Sequence, residues 1–512
     1  MVVNVESPSH PGRARRIGGS LLWSQLGRIA DVGLSLAFSV LVVRVLGPLD
    51  YATYAVVWSV ISVASLVASL GYGEALARYL PQRYLTDGGA AAALARRLLG
   101  ERTLLSLAAA VVVWLAVAPI AAWTHTPSLR PVIGLVAALI VGQGLWDLLA
   151  AYFVSVLRMR DHAVIRGIGQ LVSVGLALGL FARLGISVWA PLAAVLASYL
   201  TSSLLYAWSA RQTLTAPGRP VDLAAARRFG GYVWLTNLAT FGLASQIDVL
   251  LIAALLTDAT QISFYNVAAL LLGRLYVILT GWGAVVLPAA SEAYSREGDA
   301  GLARSFNLYT KVNLLALLPA FAFVIAWSRP LIVAFFDTGF APAAPLLALF
   351  ALFGTASALL GANVCHPLLY VANRQRALLF LRIAAGALNV VLDLLLIPPL
   401  GAAGAVIGTS ISNLATHLAE FILLRRTVGA PYPVTVAGKV LIASLLAALP
   451  ALLLPHDSWL SLITGGMTFE AIFALAAWRL RPLSAEDFAV VANTMQRLRH
   501  FLRWLALSGG SQ

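Results

Sequence analysis

Residues 20–44 read SLLWSQLGRIADVGLSLAFSVLVVR, and residues 51–73 read YATYAVVWSVISVASLVASLGYG. A bilayer core takes about 20 apolar residues to cross as a helix, and each run is that long. The second run has no charge; the first has only Arg28, Asp31 and the terminal Arg44. Between them lie only residues 45–50, a short outer loop. The pair predicts two membrane helices joined by a short hairpin.

The same pattern continues outward. Spans are predicted at 20–44, 51–73, 103–123, 131–157, 166–182, 186–209, 231–256, 262–287, 308–328, 342–371, 377–397, 402–424, 434–454 and 459–478, about fourteen in all. Composition agrees. Of 512 residues 60% are apolar and 11% charged, against about 25% charged in soluble proteins. Mean hydropathy is +0.87. A soluble enzyme, a disordered chain and a coiled coil are excluded, and the unbroken runs do not fit a membrane β-barrel, whose strands alternate. A single cysteine, Cys365, allows no intrachain disulfide. The run after Arg13, Arg15 and Arg16 has no A-x-A cleavage site and reads as a first span rather than a removable signal.

The net charge of +14 would suggest nucleic acid in a soluble protein. Here it follows topology, because cytoplasmic loops collect Arg and Lys. With the N-terminus inside and spans alternating, 29 of the 35 Lys and Arg fall on inner segments. Only Arg44, Arg130, Arg183 and Arg329 fall outside, and Arg28 and Arg274 lie within the membrane. This expects a multi-pass protein of the inner (plasma) membrane with both termini cytoplasmic. No nucleic-acid partner is expected. Outer loops are short, so function is expected within the helices.

The chain repeats itself. Gly19/Gly230, Trp23/Trp234 and Tyr54/Tyr265 share an offset of 211. Arg158-x-Arg160/Arg374-x-Arg376, Arg166/Arg382 and Leu184-Gly185/Leu400-Gly401 share one of 216. The expected fold is all-α and polytopic: two six-helix lobes related by a pseudo-two-fold along the membrane normal, plus two C-terminal helices. The expected division is a basic N-terminus at 1–19, an N-lobe at 20–209, a linker at 210–230, a C-lobe at 231–424, the two further spans at 434–478, and an amphipathic cytoplasmic tail at 482–512. That tail opens with Ser484 and Asp487, a capping-box variant, and is expected to lie on anionic lipid.

Charged groups in the bilayer are costly and usually face a cavity or a partner. Span 1 carries a stripe of Ser24, Arg28, Asp31, Ser35 and Ser39; span 7 carries Asn237, Thr240 and Asp248; span 8 carries Asn266 and Arg274. An interlobe cavity holding Arg28, Arg274, Ser24, Asn237 and Asn266 is expected to grip an anionic head group, since guanidinium binds phosphate bidentately and stays ionised. The plainer alternative for Arg28 is a local pair with Asp31. Asp31 and Asp248 are the candidates for proton or sodium coupling. Helix–helix hydrogen bonding is the expected account for most of Gln143, Asp147, Asn389, Asp393, Ser410, Asn413, His417, Glu420 and Glu470, and a peripheral groove for lipid tails between helices is the sharper alternative. No metal-spaced cluster, G-x-x-x-x-G-K-[ST] loop or G-x-S-x-G elbow occurs, so no cofactor and no enzymatic activity are expected.

Three stretches carry a resemblance: Arg44-Val45-Leu46-Gly47-Pro48 with Tyr51-Ala52-Thr53-Tyr54-Ala55; Gly71-Tyr72-Gly73 with Ala77-Arg78-Tyr79-Leu80-Pro81; and Leu400-Gly401-Ala402-Ala403-Gly404-Ala405 with Thr409-Ser410-Ile411-Ser412. Together with Ala372-Asn373-Arg374 and Leu388-Asn389 they resemble the polysaccharide-transport oligosaccharide flippases of the multidrug/oligosaccharidyl-lipid/polysaccharide exporter superfamily. Phe335-Phe336-Asp337 departs from that family, which usually has Gly after the aromatic. The resemblance implies two lobes around a cationic cavity. It also implies alternating access that moves polyprenyl-diphosphate-linked oligosaccharide from the inner to the outer leaflet for O-antigen, capsule or exopolysaccharide. Membrane lipids, a polysaccharide polymerase and glycosyltransferases are the implied partners. The alternatives are a cation-coupled multidrug exporter and a peptidoglycan-precursor flippase. Relatives of the latter use arginines in helices 1, 2 and 8, and span 2 here has none at mid-depth.

Overall fold

The computed structural model describes residues 11–217, 222–241, 245–281, 283, 286–451, 459–484 and 487. Within these it describes all side chains but those of 11–26, 28, 29, 85, 86, 184, 239 and 451. The first half holds α1 (Pro11–Ser69), α2 (Tyr72–Thr86), α3 (Gly88–Leu115), α4 (Val117–Trp123), α5 (Leu129–Ser155), α6 (Met159–Leu184) and α7 (Trp189–Ser209). A short α8 (Arg211–Leu214) leads to α9 (Ala224–Phe241), α10 (Ser245–Leu255), α11 (Thr260–Leu279), α12 (Val286–Glu297), α13 (Asp299–Ala326) and α14 (Ser328–Phe336). Then come α15 (Ala344–Leu359), α16 (Cys365–Val371), α17 (Gln375–Leu400), α18 (Ala402–Val428), α19 (Val434–Ala451) and α20 (Trp459–Leu480). The fold is all-helical, as a hydrocarbon solvent requires: in helices the backbone satisfies its own hydrogen bonds.

Among the described residues eleven helices are long and apolar enough to cross a membrane. The first of these, Ala30–Ser69, has 40 residues, about 60 Å at helical rise, against a core about 30 Å thick. It turns at Gly47, whose φ of 67° and ψ of 176° are non-helical, directly before Pro48. The two runs quoted above are therefore its two arms. Ser245–Leu255 and Val434–Pro450 are shorter apolar helices. The expected span 231–256 is described as α9 and α10, with 242–244 outside the described residues, and the expected span 342–371 comprises α15 and α16 with an unwound 360–364 between them. Gly361 (φ 74°) and Asn363 (φ 69°) break the second one by taking left-handed backbone. The expected polar connection at 74–100 is itself helical, as α2 and the start of α3.

The repeat is geometric as well as sequential. Leu157 (φ 59°) and Asn373 (φ 57°) occupy equivalent left-handed positions at offset 216. Arg158 and Arg374 then cap α6 and α17. Those helices end at Gly185 (φ 72°, ψ −160°) and Gly401 (φ 62°, ψ −143°). Packing repeats too. In the first half α3 packs on α5, α5 on α7, α6 on α7 and α1 on α6; in the second α13 packs on α15, α15 on α18, α17 on α18 and α10 on α17. The last two helices pack on each other, and α19 also on α13.

Contacts between loops separate two faces. On one, Arg96 donates to the Leu214 and Ala216 carbonyls, Arg158 to Ser209, and Lys311 to Asp487. This is the basic face. On the other, Thr53 meets Ser128, and Gln261 Oε1 accepts from the Ala402 amide. Ser484 and Asp487 do form a reciprocal cap: the Asp487 amide donates to Ser484 Oγ at 3.1 Å and the Ser484 amide to Asp487 Oδ2 at 3.0 Å. The tail after Asp487 lies outside the described residues.

Candidate functional site

A cavity of about 230 Å³ lies between the two halves. From α1 it takes Ser35, Ser39, Tyr54 and Trp58, and from α11 Asn266 and Arg274. Tyr54 and Trp58 stack with ring centroids 6.4 Å apart, one helical turn from each other. A second cavity of about 370 Å³ adjoins it and holds Asp31, His162, Arg166 and, again, Arg274. Arg274 therefore stands where the two cavities meet. It makes no hydrogen bond or ion pair with the described residues.

Asp31 is neutralised across the lobe, by α6. Arg166 Nε donates to Asp31 Oδ1 at 2.6 Å and Nη2 to Oδ2 at 2.8 Å, a bidentate pair. Gln170 Nε2 adds a contact at 3.4 Å. The carboxylate is held by a helix that begins at Met159, seven residues earlier than the expected span, which places Arg166 inside the bundle. The side chains of Ser24 and Arg28 lie outside the described residues.

Asn237 and Asn266 sit apart. Asn266 Oδ1 accepts from Tyr51 Oη at 2.7 Å in the central cavity. Asn237 belongs to a different cavity near the basic face, with Ser65, Glu74, Arg102 and Asp147, and donates to Glu74 Oε1 at 3.1 Å. A single binding set containing both is therefore not assembled in this conformation. Ser62 and Ser69 of the second arm of α1 line that cavity as well.

The halves touch at both faces. At the face opposite the basic one, Ser263 donates to the Pro48 carbonyl, Arg44 Nε to the Phe335 carbonyl at 2.8 Å, and His125 Nδ1 lies 3.1 Å from the Ala253 carbonyl. At the basic face Trp234 Nε1 donates to the Leu66 carbonyl at 3.0 Å, and Arg227 pairs with Glu101. Gly71 and Gly230 meet backbone to backbone there: a Cβ on Gly71 would lie 2.2 Å from the Gly230 carbonyl oxygen.

Asp248 is far from Arg274 in chemistry. It is fully buried inside the second half, on α10. Tyr265 and Thr409 donate to its Oδ2, the latter at 2.8 Å, and Asn389 Nδ2 to its Oδ1 at 2.9 Å. The Asp393 carboxyl lies beside it, and Asn389 Nδ2 also donates to Asp393 Oδ2, at 3.2 Å. Neither carboxyl has an ion-pair partner among the described residues. Sequence pattern assigned Asn389 and Asp393 to helix packing. Their i,i+4 spacing put them on one face, but only the fold brings α10, α17 and α18 together around them. Arg166, Gln170, Tyr54 and Trp58 were not singled out as cavity residues; the offsets pairing Tyr54 with Tyr265 and Arg166 with Arg382 were the available signal.

The profile of a family described as polysaccharide biosynthesis protein matches residues 41–345, more than half of the chain. No curated protein sequence matches. Among solved structures, the lipid II flippase MurJ in an inward closed conformation has a TM-score of 0.70 at 14% identity, over 89% of this chain and 98% of that one. An inward-facing multidrug resistance MATE family transporter of the MOP superfamily has a TM-score of 0.65 at 17% identity, over 78% and 94%. A MOP superfamily transporter from Pyrococcus furiosus, described by the reverse polarity of its binding pocket, has 0.55 at 15%, over 83% and 99%. At these identities the likeness is one of fold. Two matching helical halves facing a common cavity, together with the profile match, place this chain in the polysaccharide biosynthesis protein family, on the fold of the MOP superfamily transporters.

Proposed function

We propose that the protein is a flippase that moves a polyprenyl-diphosphate-linked oligosaccharide from the inner to the outer leaflet for surface polysaccharide biosynthesis. The observation that carries this reading is Arg274. Asp31 is neutralised by Arg166, so the interlobe cavities are left with a guanidinium that no described group pairs. A diphosphate is the group such a guanidinium binds best. A cation-coupled drug exporter would need the reverse charge there. The rest of the cavity wall supports a glycan: hydroxyls of Ser35 and Ser39, the Asn266 amide and the Tyr54–Trp58 stack suit a polar ring with apolar faces. In this reading 20–209 and 231–424 are the rocking lobes, the basic face is cytoplasmic, and the membrane is the inner one. The glycosyltransferases and polymerase of the pathway are its partners.

The Asp248–Asp393 pair is the coupling site. Two carboxyls buried face to face without a base must share a proton or hold a cation. The groups around them are the two carboxylates, the hydroxyls of Tyr265 and Thr409, and the Asn389 amide, whose oxygen a flip turns toward a cation. Such oxygen donors fit a hard monovalent cation such as sodium and do not fit a transition metal. When bound, a cation supplies the neutralising charge that lets α10, α17 and α18 close on one another.

The test is Arg274→Ala in a producing cell. Losing a charged hydrogen bond of about 1.5–3 kcal/mol slows flipping about 10–100-fold. Lipid-linked glycan should accumulate on the cytoplasmic leaflet and surface polysaccharide should fall, with Arg274→Lys in between. Undiminished surface polysaccharide in Arg274→Ala paired with Arg28→Ala would overturn the reading.

A further inference from the structure

The second half contains a cavity of about 480 Å³ that the transport path does not use. One end reaches Tyr265 and Thr409, both of which hydrogen-bond to Asp248. The other reaches Arg382 and His417. Along α18 the polar residues Thr409, Asn413 and His417 follow at four-residue steps, so one stripe faces the cavity for its whole length. Glu420 lies one turn further on. From Thr409 to Glu420 the helix rises about 16 Å.

Exposure falls along that line. Arg382 and His366 are partly exposed, with side chains at 23% and 32%, while Asp248 and Asp393 are fully buried. At the exposed end Arg382 Nη2 and His366 Nδ1 meet Glu420 Oε1 at 3.3 and 2.9 Å. This end lies toward the basic face, in the direction of Arg374 and Arg376, which open α17, and of Arg425 and Arg426 in the last turn of α18. Two features call for water in between. His417 Nδ1 is buried without a hydrogen-bond partner. The backbone at 360–364 is unwound, and Ala362 and Asn363 line the cavity. Irregular backbone at membrane depth is tolerated where it lines a hydrated space or is buried in protein, and unpartnered polar atoms are satisfied by water.

We propose that this cavity is the route by which a hydrated monovalent cation reaches the Asp248–Asp393 pair from the basic face, passing Asn413 and His417, with the Arg382–Glu420 pair at its entrance. The inference rests on the coupling role given to Asp248 and Asp393 above. It adds a sign. Glu420 cancels the Arg382 charge at the entrance, so Glu420→Gln leaves a bare guanidinium there and slows cation entry.

The test has two arms on the full chain in liposomes. In a Cys365→Ala background, which removes the only cysteine, Asn413→Cys is exposed to a membrane-impermeant methanethiosulfonate from one face or the other. Modification from the basic face should be at least about ten-fold faster than from the opposite face. Equal rates, faster modification from the opposite face, or no modification would overturn the route. The second arm plugs the cavity with Asn413→Trp and uses sodium chloride as the probe. Sodium affinity by thermal shift should stay within about two-fold of the parent, while sodium release slows by about ten-fold or more. Unchanged release would also overturn the route. Where Asn413→Trp does not fold, the cysteine arm decides alone. Asp393→Asn separates the two ideas: if it leaves the sodium response of the parent intact, the coupling role fails, whereas the sidedness of Asn413→Cys stands or falls by itself.

Discussion

Arg166 shows what one side chain decides. By position it counts among the basic residues of a loop, yet it sits within α6 and holds Asp31 by both carboxylate oxygens. The pair is only partly shielded, with 37% of the Arg166 and 16% of the Asp31 side chain exposed. Its loss therefore costs less than that of a fully buried pair. Arg166→Gln should lower stability by about 1–3 kcal/mol, because it leaves Asp31 uncompensated. Asp31→Asn added to it should restore most of that, since both charges then go together. Thermal unfolding in detergent measures both, and additive losses would contradict the pairing. Asp248 was legible as a costly intramembrane carboxyl. Its partners were not, because Asn389 lies 141 residues away and Thr409 lies 161.

At the scale of elements, the start of the C-terminal tail is pinned by an ion pair. Lys311 on α13 donates to both oxygens of Asp487, at 2.8 and 2.9 Å, next to the Ser484 cap. Burial raises the Asp487 pKa, but hydrogen bonds from Lys311 and Ser484 outweigh it and hold the carboxyl below its ordinary value of 3.8. A depressed folded-state pKa adds stability above the unfolded value, and that stability is lost as pH falls through the folded one. The tail should thus stay docked at neutral pH and loosen below about pH 4. Lys311→Ala should loosen it at pH 7. Limited proteolysis of nanodisc-held protein reads this directly; equal cleavage of the variant and the parent would show that other contacts hold the tail. The broken span at 342–371 belongs to this scale as well. The apolar run at 342–371 gave no sign of its interruption beyond Gly361 and Asn363. Hydropathy measures preference for the membrane and not helical continuity.

For the whole molecule, the contacts at both faces define one conformation of a two-lobed machine. At the basic face closure depends on Gly71 and Gly230 having no side chains. Gly71 is in left-handed backbone (φ 64°), whereas a Cβ on Gly230 would lie 2.8 Å from the Leu70 carbonyl oxygen. Gly230→Leu should therefore part the lobes at that face without imposing backbone strain. Spin-label distances across the face should lengthen, and cysteines introduced into the central cavity at Ser35 or Ser39 should become reactive from the basic side. Unchanged distances would show that Trp234 and Arg227 are enough to hold the lobes together.

Much of the architecture was written in local pattern. Runs of about 20 apolar residues dictate membrane helices, the distribution of Arg and Lys sets their alternation, and the shared offsets disclose two like halves that the matching turns at Leu157/Asn373 and Gly185/Gly401 reproduce. Arg274 and Asp248 were visible too, since a charge in hydrocarbon stands out in any sequence. Which charges meet was settled by tertiary structure alone. Asp31 found Arg166, Asp248 found Asp393, and Asn237 and Asn266 parted into separate cavities. Periodicity fixes the face of a helix on which a side chain lies, but the neighbour it meets there depends on helix packing over a hundred residues of separation.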